Sequence, residues 1–569
     1  MFCLSKKTVF DIFVSLPDRL FKRFEMAKYK VLITDHISQD GVNILKNDGN
    51  IEVEIKAGIK NPDLKKIIGD YDAIITRSGT TVTADLIENP GRLKIIGRAG
   101  VGLDNVDIEA ASMKGIIVMN APTGNTLAAC ELTMGMMLSA VRKIPLANQT
   151  TKAGEWDRKR FMGIQLYRKT LAVVGLGRIG SNVAKRCKAF EMRVVAFDPY
   201  IKKSKADALG VELCDSLEAA ISQADVITFH TPLTDETKNM ITKDEIAKMK
   251  DGVVIINCAR GGIVNELDLV EAVKSGKVWG AGLDVFMQEP PENHPFFGVE
   301  NIFVTPHIGA NTAEGQYGVA VIIAEQVKNA LYGRSYKNAV NIPFMKTQLP
   351  EEHQRYFELL EGMGHLAAQL TKGRPENIEV SMIGTKFEED FGERTFDTPF
   401  NFQPFTIAGL KGFMEVAVAE NVSFINAPYI AKERNIDVIE TKSASFGKFN
   451  DLVVIKVRTD VEEKVYAGTV FADNTGRLLI YDKYYTDLIC EGSFLYFNNL
   501  DRPGMIGKVG TILGKHNINI ADFELSRNIQ EGKESDAIAF VRVDGKIPAA
   551  VVKEISALDG MLEVKAITL

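Results

Sequence analysis

Three residues on separate segments have the types that redox chemistry on a small organic acid needs. Arg260 stands in NCARGGIVNE, Glu289 in LDVFMQEPP and His307 in VTPHIGANT. A histidine oriented by a carboxylate can move a proton, and an arginine fork can hold an anionic substrate. Such a set suits the interconversion of a hydroxy acid and a keto acid, given a bound dinucleotide. The dinucleotide signal lies upstream, where VVGLGRIG carries Gly175, Gly177 and Gly180 after an apolar run. In such a turn the first glycine permits the bend, the second lets the backbone approach a pyrophosphate, and the third allows close helix–strand packing. Arg178 and Ile179 then open the helix whose N-terminus meets the anion. Asp198 ends the next β-rich run, about twenty residues on. A carboxylate there accepts the ribose hydroxyls and repels a 2′-phosphate, so the expected cofactor is NAD.

These side chains can converge only if strand ends bring them together. From Tyr29 the chain alternates β-rich runs (KVLITD, DAIITRS, LKIIGRAG, GIIVMNAP) with helical spacing, as over Ile37 to Asn47. That alternation predicts a parallel α/β sheet. Thr126 to Lys143 reads as a long buried helix whose methionines are packing. A second series starts at Thr170 and has six β-runs, which fits a doubly wound nucleotide domain. Arg260 and His307 each follow one of these runs, where open α/β sheets bind their ligands. A helix over TAEGQYGVAVIIAEQVKNAL then leads to GRSYKNAVN, read as an exit linker.

Beyond Asn341 the texture becomes α+β, with the helical EEHQRYFELLEGMGHLAAQL followed by IEVSMIG, DLVVIKVRTD, KVYAGTVFA and RLLIYDKYY. From about Gly492 the order is βαββαβ, a ferredoxin-like pattern. The expected fold class is therefore α/β, with a Rossmann-type nucleotide domain inserted in a flavodoxin-like substrate domain, then an α+β module and a ferredoxin-like module. The expected boundaries are an extension over 1–25, a substrate-binding unit over 26–125 and 312–340, a nucleotide unit over 126–311, an intervening unit over 341–490 and a terminal unit over 491–569.

A length of 569 residues implies several cores, about three or four by length. Hydrophobic content of 46% and charged content of 25% are ordinary for a soluble globular protein. A net charge of -6 argues against a nucleic-acid partner. The six cysteines are scattered without a paired framework, which predicts reduced thiols and a cytoplasmic protein. No segment is apolar enough to cross a membrane. The first 25 residues carry Asp11, Asp18 and Glu25, which disfavour a targeting peptide, and read either as a start placed too early or as a flexible appendage before MAKYKVLITD. The histidines lack metal-ligand spacing, so no catalytic metal is expected; His230, in FHTPL, is expected near the cofactor.

Through RAGVGLDNVD, VMNAPTGN, FMGIQLYRKTLAVVGLGRIG, NCARGGIVNE, LDVFMQEPP and TPHIGA, the chain from Met26 onward resembles the long-form D-3-phosphoglycerate dehydrogenases. These are D-2-hydroxyacid dehydrogenases with an intervening domain and a C-terminal ACT domain. INAPYIAKERNI and FNNLDRPGMIGKVGTILGKHNINI carry the resemblance through those two domains. It implies NAD-dependent oxidation of 3-phosphoglycerate to 3-phosphohydroxypyruvate, the first step of L-serine formation. By resemblance Arg260 holds the substrate carboxylate and ketone, and His307 is the acid/base, oriented by Glu289. Asp284, Ala259 and Gly309 lie on the nicotinamide side, and Thr231 and Pro232 on the adenine side. Arg77, Arg98 and Asn125 meet the substrate, with Arg158 reaching in from a neighbouring subunit. Asn499, Asp501 and Asn519 match positions that bind serine in relatives, which makes L-serine the candidate effector. A homodimer or homotetramer is implied. Two alternatives stay open here: another enzyme of the class, such as a hydroxypyruvate or glyoxylate reductase, and a non-enzymatic NAD-sensing corepressor.

Overall fold

The apolar runs after Tyr29 assemble in chain order as β1 (Tyr29–Ile33), α1 (Gln39–Lys46), β2 (Ile51–Ile55), α2 (Asn61–Ile67), β3 (Ala73–Thr76), β4 (Ile95–Arg98), α3 (Ile108–Met113) and β5 (Ile117–Asn120). The structure, a computed structural model, describes residues 29–342, 349–388, 400, 402–419, 421–444, 451–528 and 536–569. The extension expected over residues 1–25 lies outside them. The first sheet is parallel throughout, with order β2-β1-β3-β4-β5. That is the flavodoxin-type order. Sequence reading missed β2, because the edge run IEVEI alternates with charge and buries only Ile51 fully.

The chain continues as α4 (Thr126–Arg142), α5 (Ile144–Lys152), β6 (Thr170–Val174), α6 (Arg178–Ala189), β7 (Arg193–Phe197), α7 (Lys203–Leu209), β8 (Glu212–Leu213), α8 (Leu217–Ile221), β9 (Val226–Phe229), α9 (Lys243–Lys248), β10 (Val253–Asn257), α10 (Glu266–Lys274), β11 (Val278–Leu283) and β12 (Ile302–Val304). Its seven-stranded parallel sheet has order β12-β11-β10-β9-β6-β7-β8. The six expected runs are present, and the seventh strand, β8, is only two residues long. Strand order reverses beside β6, which opens a crevice at the strand carboxyl ends. Helix α4 packs on α6, β10 and β11. Its Met134, Met136 and Met137 are buried in that core as packing.

Helix α11 (Ala313–Leu331) returns to the first sheet and packs on α1 and β4. The segment expected as an exit linker does more than connect. Ala339 bridges Met119 antiparallel, and Val340 N–H donates to Val118 O at 2.8 Å. The buried Asn341 side chain accepts from Val118 N at 2.9 Å and donates to Ile116 O at 2.7 Å. The linker thus covers the free edge of β5.

Next come α12 (Glu351–Leu370), β13 (Pro375–Ile383), α13 (Pro404–Ala417), α14 (Ala427–Glu433), β14 (Asp437–Ser443), β15 (Leu452–Thr459), β16 (Glu463–Val470), β17 (Gly476–Tyr481) and β18 (Tyr484–Leu488), in a sheet of order β14-β13-β15-β16-β17-β18. RLLIYDKYY, read as one run, is a hairpin that turns at Asp482 (φ 54). The chain closes with β19 (Ser493–Leu500), α15 (Met505–Lys515), β20 (Ile520–Arg527), β21 (Asp536–Val543), α16 (Ala549–Ser556) and β22 (Met561–Thr568), the expected βαββαβ order. Helices α15 and α16 cover one face of this antiparallel sheet through Leu495, Phe497, Val541, Val509 and Val551. The other face, with Phe494, Tyr496 and Phe540, shares one core with Tyr466, Tyr481 and Tyr484 of the preceding sheet. Among the described residues no helix is long and apolar enough to cross a membrane.

Candidate active site

The turn from β6 to α6 is built for a close approach. Gly175 has φ +92, and a side chain there would meet His230 O at 2.7 Å. At Gly180 a Cβ would stand 2.0 Å from Gly175 O, so the helix packs directly on its own turn. At Gly177, the N-cap of α6, a Cβ would have nothing within 4 Å. The N–H groups of the first helical turn, opened by Arg178 and Ile179, therefore face open space, as a phosphate requires. Asp198, just past β7, braces this turn by accepting from Leu176 N at 2.8 Å and from Tyr200 N at 3.0 Å. The Thr231 hydroxyl is buried without a hydrogen-bond partner, and Pro232 O accepts from Thr237 at 2.7 Å. A bare helix N-terminus, a carboxylate at the ribose position and an orphaned hydroxyl fit NAD. His230 lies beneath the turn, where burial holds its imidazole at about 3, neutral at physiological pH.

The proton-transfer pair forms at the far side of the crevice. His307 Nδ1 lies 2.6 Å from Glu289 Oε2, and Glu289 Oε1 accepts from Phe286 N at 3.0 Å. An ionised carboxylate can only accept, so Nδ1 donates and Nε2 keeps the lone pair. Burial pushes the Glu289 carboxyl up, but the His307 imidazole, the Phe286 N–H and the Arg260 charge outweigh it and hold it below the usual range. His307 has φ 51, an unusual backbone for a non-glycine residue. Asp284, fully buried, holds that conformation by accepting from Thr305 Oγ1 at 2.6 Å and from Ile308 N and Gly309 N, both at 2.8 Å. Both of its oxygens are thus engaged by the loop that carries His307.

Arg260 reaches across the crevice from the end of β10. Its Nε donates to Asp104 Oδ2 at 2.9 Å and its Nη1 to Ala259 O at 2.7 Å. Next to it, Gly261 lets the chain press against Phe286 O, 1.9 Å from where a Cβ would be. Arg98, at the end of β4, has its Nε buried with no partner. Burial, then the neighbouring Arg260 and Arg77, push its guanidinium down to about 10. Arg77 lies at the end of β3, its backbone N–H held by Asp35 at 2.7 Å and its Nη1 donating to His36 O at 3.1 Å. Asn125, the N-cap of α4, has a buried Oδ1 without a partner. Arg158 lies in the exposed segment before β6, and among the described residues no contact joins it to this cluster.

Sequence reading missed several supports. Asp104 sits in the quoted LDNVD run, and its charge was the available signal. Glu266 accepts from Met287 N at 2.7 Å and meets His294 Nε2 at 2.9 Å, pinning the loop that presents Glu289. Cys258, beside Arg260, is partly buried, and burial pushes its thiol up to about 12, which disfavours the reactive thiolate. Among the described residues no group of side chains has metal-ligand geometry.

The three residues expected to bind an effector do not meet within one chain. Asn499 is buried on β19, its Oδ1 without a partner. Asp501, just beyond, is paired with Arg527, whose Nε donates at 2.6 Å. Asn519 precedes β20, donates to Asp544 at 2.8 Å, and stands at the opposite end of the sheet. Strand geometry separates it from Asn499 by roughly 20 Å.

Known proteins match this architecture unit by unit. The model for the "D-isomer specific 2-hydroxyacid dehydrogenase, NAD binding domain" matches residues 134–309, that for the "D-3-phosphoglycerate dehydrogenase intervening domain" residues 352–480, and that for the ACT domain residues 493–560. The D-3-phosphoglycerate dehydrogenase of Methanocaldococcus jannaschii is 41% identical over 542 residues, covering 95% of this chain and all of the relative. That of Bacillus subtilis is 37% identical over 543 residues, with the same coverage. Among solved structures, the TT0316 protein of Thermus thermophilus (34% identity, TM-score 0.51) and a glyoxylate reductase from Paecilomyes thermophila (28%, 0.52) each match 55% of this chain over 99% of their own length. The catalytic half alone thus matches a glyoxylate reductase, whereas the intervening-domain model and the full-length relatives carry the D-3-phosphoglycerate dehydrogenase name. With those matches spanning nearly the whole sequence, the chain belongs to the D-3-phosphoglycerate dehydrogenase family.

Proposed function

We propose that the crevice oxidises the 2-hydroxyl of 3-phosphoglycerate with NAD, giving 3-phosphohydroxypyruvate, and that Arg77, Arg98 and Arg260 receive the two anionic ends of the substrate. The carrying observation is Arg98, a largely buried guanidinium with an orphaned Nε beside two like charges. A cation so placed awaits an external anion, and a phosphate or carboxylate matches its fork. Asn125, with its unpartnered oxygen, adds an acceptor for a substrate hydroxyl. Gly175, Gly177, Asp198 and Thr231 would hold NAD, which when bound supplies the hydride acceptor for the substrate's C2 hydrogen. His307 Nε2 takes the hydroxyl proton, and the ionised Glu289 stabilises the imidazolium that results. Arg260 holds the carboxylate and polarises the developing carbonyl.

The same reading partitions the chain. Residues 26–125 and 312–340 form the substrate unit and 126–311 the nucleotide unit, as the packing of α11 and α4 supports. Residues 341–490 form the intervening unit and 491–569 the ACT unit. A second copy covers the exposed Trp156 (80%) and Met162 (75%) of the segment after α5, and brings Arg158 to its neighbour's crevice. L-serine is the effector, and since Asn499 and Asn519 lie at opposite sheet ends, a site using both needs two copies. The five described cysteines are all unpaired, which supports a cytoplasmic workplace.

The test is a substrate panel with the wild type and R98Q. The wild type turns over 3-phosphoglycerate in preference to glycerate, and R98Q loses roughly 100-fold in kcat/KM on the phosphorylated substrate alone. Equal use of both substrates by the wild type would reassign the crevice to an unphosphorylated hydroxy acid. NAD binding without any turnover would favour a sensor.

A further inference from the structure

The loop after β4 serves all three arginines at once. Asn105 donates to the backbone carbonyls of Arg77 and Thr80, both at 2.6 Å, and so fixes the strand end that presents Arg77. Asn120 donates to Val101 O at 2.7 Å and anchors the loop that follows Arg98. Asp107 caps α3 through Ala110 N at 2.9 Å. The Asp104 side chain reaches across to the nucleotide sheet, where it takes Arg260 Nε at 2.9 Å.

That contact decides what Arg260 can offer. Nε is spent on Asp104 and one Nη1 hydrogen on Ala259 O. The donors left for a substrate are the second Nη1 hydrogen and the two on Nη2. Nη2 lies against Gly102, 1.9 Å from where a Cβ would be, so any larger residue there would displace the guanidinium. Meanwhile the charges of Arg260 and Arg77 are both felt at Arg98, where Asp104 and Asp35 oppose them. The Asp104 carboxylate on Nε sets a counter-charge beside Arg260 in this cluster of cations. Asp104 has a side chain 58% exposed, and an ion pair that open adds little to stability.

We infer that Asp104 is a positioning residue for the reaction, holding the Arg260 guanidinium across the crevice so that Nη1 and Nη2 meet the substrate carboxylate. This rests on the substrate-binding role given to Arg260 above. The experiment compares wild type, D104N, D104S and D104E, each also in an R260K background, in the full-length enzyme saturated with NAD. Displacing an orienting group by an ångström costs up to about 100-fold, so D104N and D104S are expected to lose about 10–100-fold in kcat/KM for 3-phosphoglycerate, mostly in KM. NAD affinity and melting temperature stay at wild-type values, and D104E recovers part of the loss. In the R260K background D104N adds less than about twofold, because coupled residues are not additive. Wild-type kcat and KM in D104N, or an undiminished loss in the R260K background, would overturn the inference. A D104N enzyme whose NAD affinity falls in step would do the same. Wild-type enzyme that does not prefer 3-phosphoglycerate would instead overturn the substrate reading, and this inference with it.

Discussion

At the scale of single residues the crevice is a set of charges held apart until a substrate joins them. His307 carries the proton step, so H307Q should lower kcat by about 10²–10⁴-fold. NAD affinity, measured by cofactor fluorescence, should not change, because His307 stands on the loop after β12 and not on the β6–α6 turn. Glu289 makes a prediction in pH. Its carboxyl lies below its ordinary value of 4.5, the usual sign for a paired carboxylate. The stabilisation from the pair is then fully present above pH 4.5 and is lost as pH falls through the lowered folded value. The stability gap between wild type and E289Q, from denaturant titrations, should be constant from pH 7 down to about 4.5 and shrink as pH falls below it. A gap that stayed constant down to pH 3 would mean that Glu289 acts by packing. The residue types at Arg260, Glu289 and His307 were legible in the sequence because each lies in the loop that follows a β-rich run. Asp104 and Glu266 were not, since their partners Arg260 and His294 lie 156 and 28 residues away.

At the scale of elements, the glycines of one turn do opposite jobs. Gly177 has open space at its Cβ position, whereas Gly180 would strike Gly175 O at 2.0 Å. G177V should therefore fold and melt like wild type but lose NAD affinity by more than about tenfold, because the side chain enters the anion site. G180V should lose stability first, as overpacking costs about 1–3 kcal/mol or more. Thermal melts and NAD titrations of the two variants separate these outcomes. If both variants lost NAD alone, the packing role of Gly180 would be wrong. Fold elements were readable where periodicity was strong: α12 spans the helical stretch marked in the sequence, Glu351–Leu370. Charged edge strands such as β2 and the two-residue β8 gave no such signal, since neither makes a run of apolar residues.

At the scale of the molecule, the last two units are fused by an aromatic core. Tyr481 touches Tyr466, Tyr496 and Phe540, with ring centroids 5.3, 5.9 and 5.9 Å away. Tyr496 and Phe540 belong to the C-terminal sheet, and Tyr466 to the preceding one. Y481A should cost about 3–5 kcal/mol, the range for truncating a large buried aromatic. It should destabilise both units together, seen by calorimetry as one shifted transition for residues 349–569. Separate transitions, with only one moved, would show that the interface is weak. Towards the catalytic half, Tyr429 of α14 hydrogen-bonds Ser112 of α3, and Asn341 donates to the same Ser112 at 3.0 Å. The intervening unit therefore rests on α3, the helix that precedes β5.

The sequence by itself determined the alternation of strands and helices, the dinucleotide turn, the residue types at the strand ends and the βαββαβ order of the C-terminal unit. These follow from local periodicity, turn chemistry and spacing, which need no knowledge of distant segments. The tertiary structure alone decided that three arginines converge, that Asp104 faces Arg260, that Asn499 and Asn519 stand at opposite sheet ends, and that two sheets share one core. Each of these is a pairing between residues far apart in the chain, fixed by sheet order and packing rather than by any local preference.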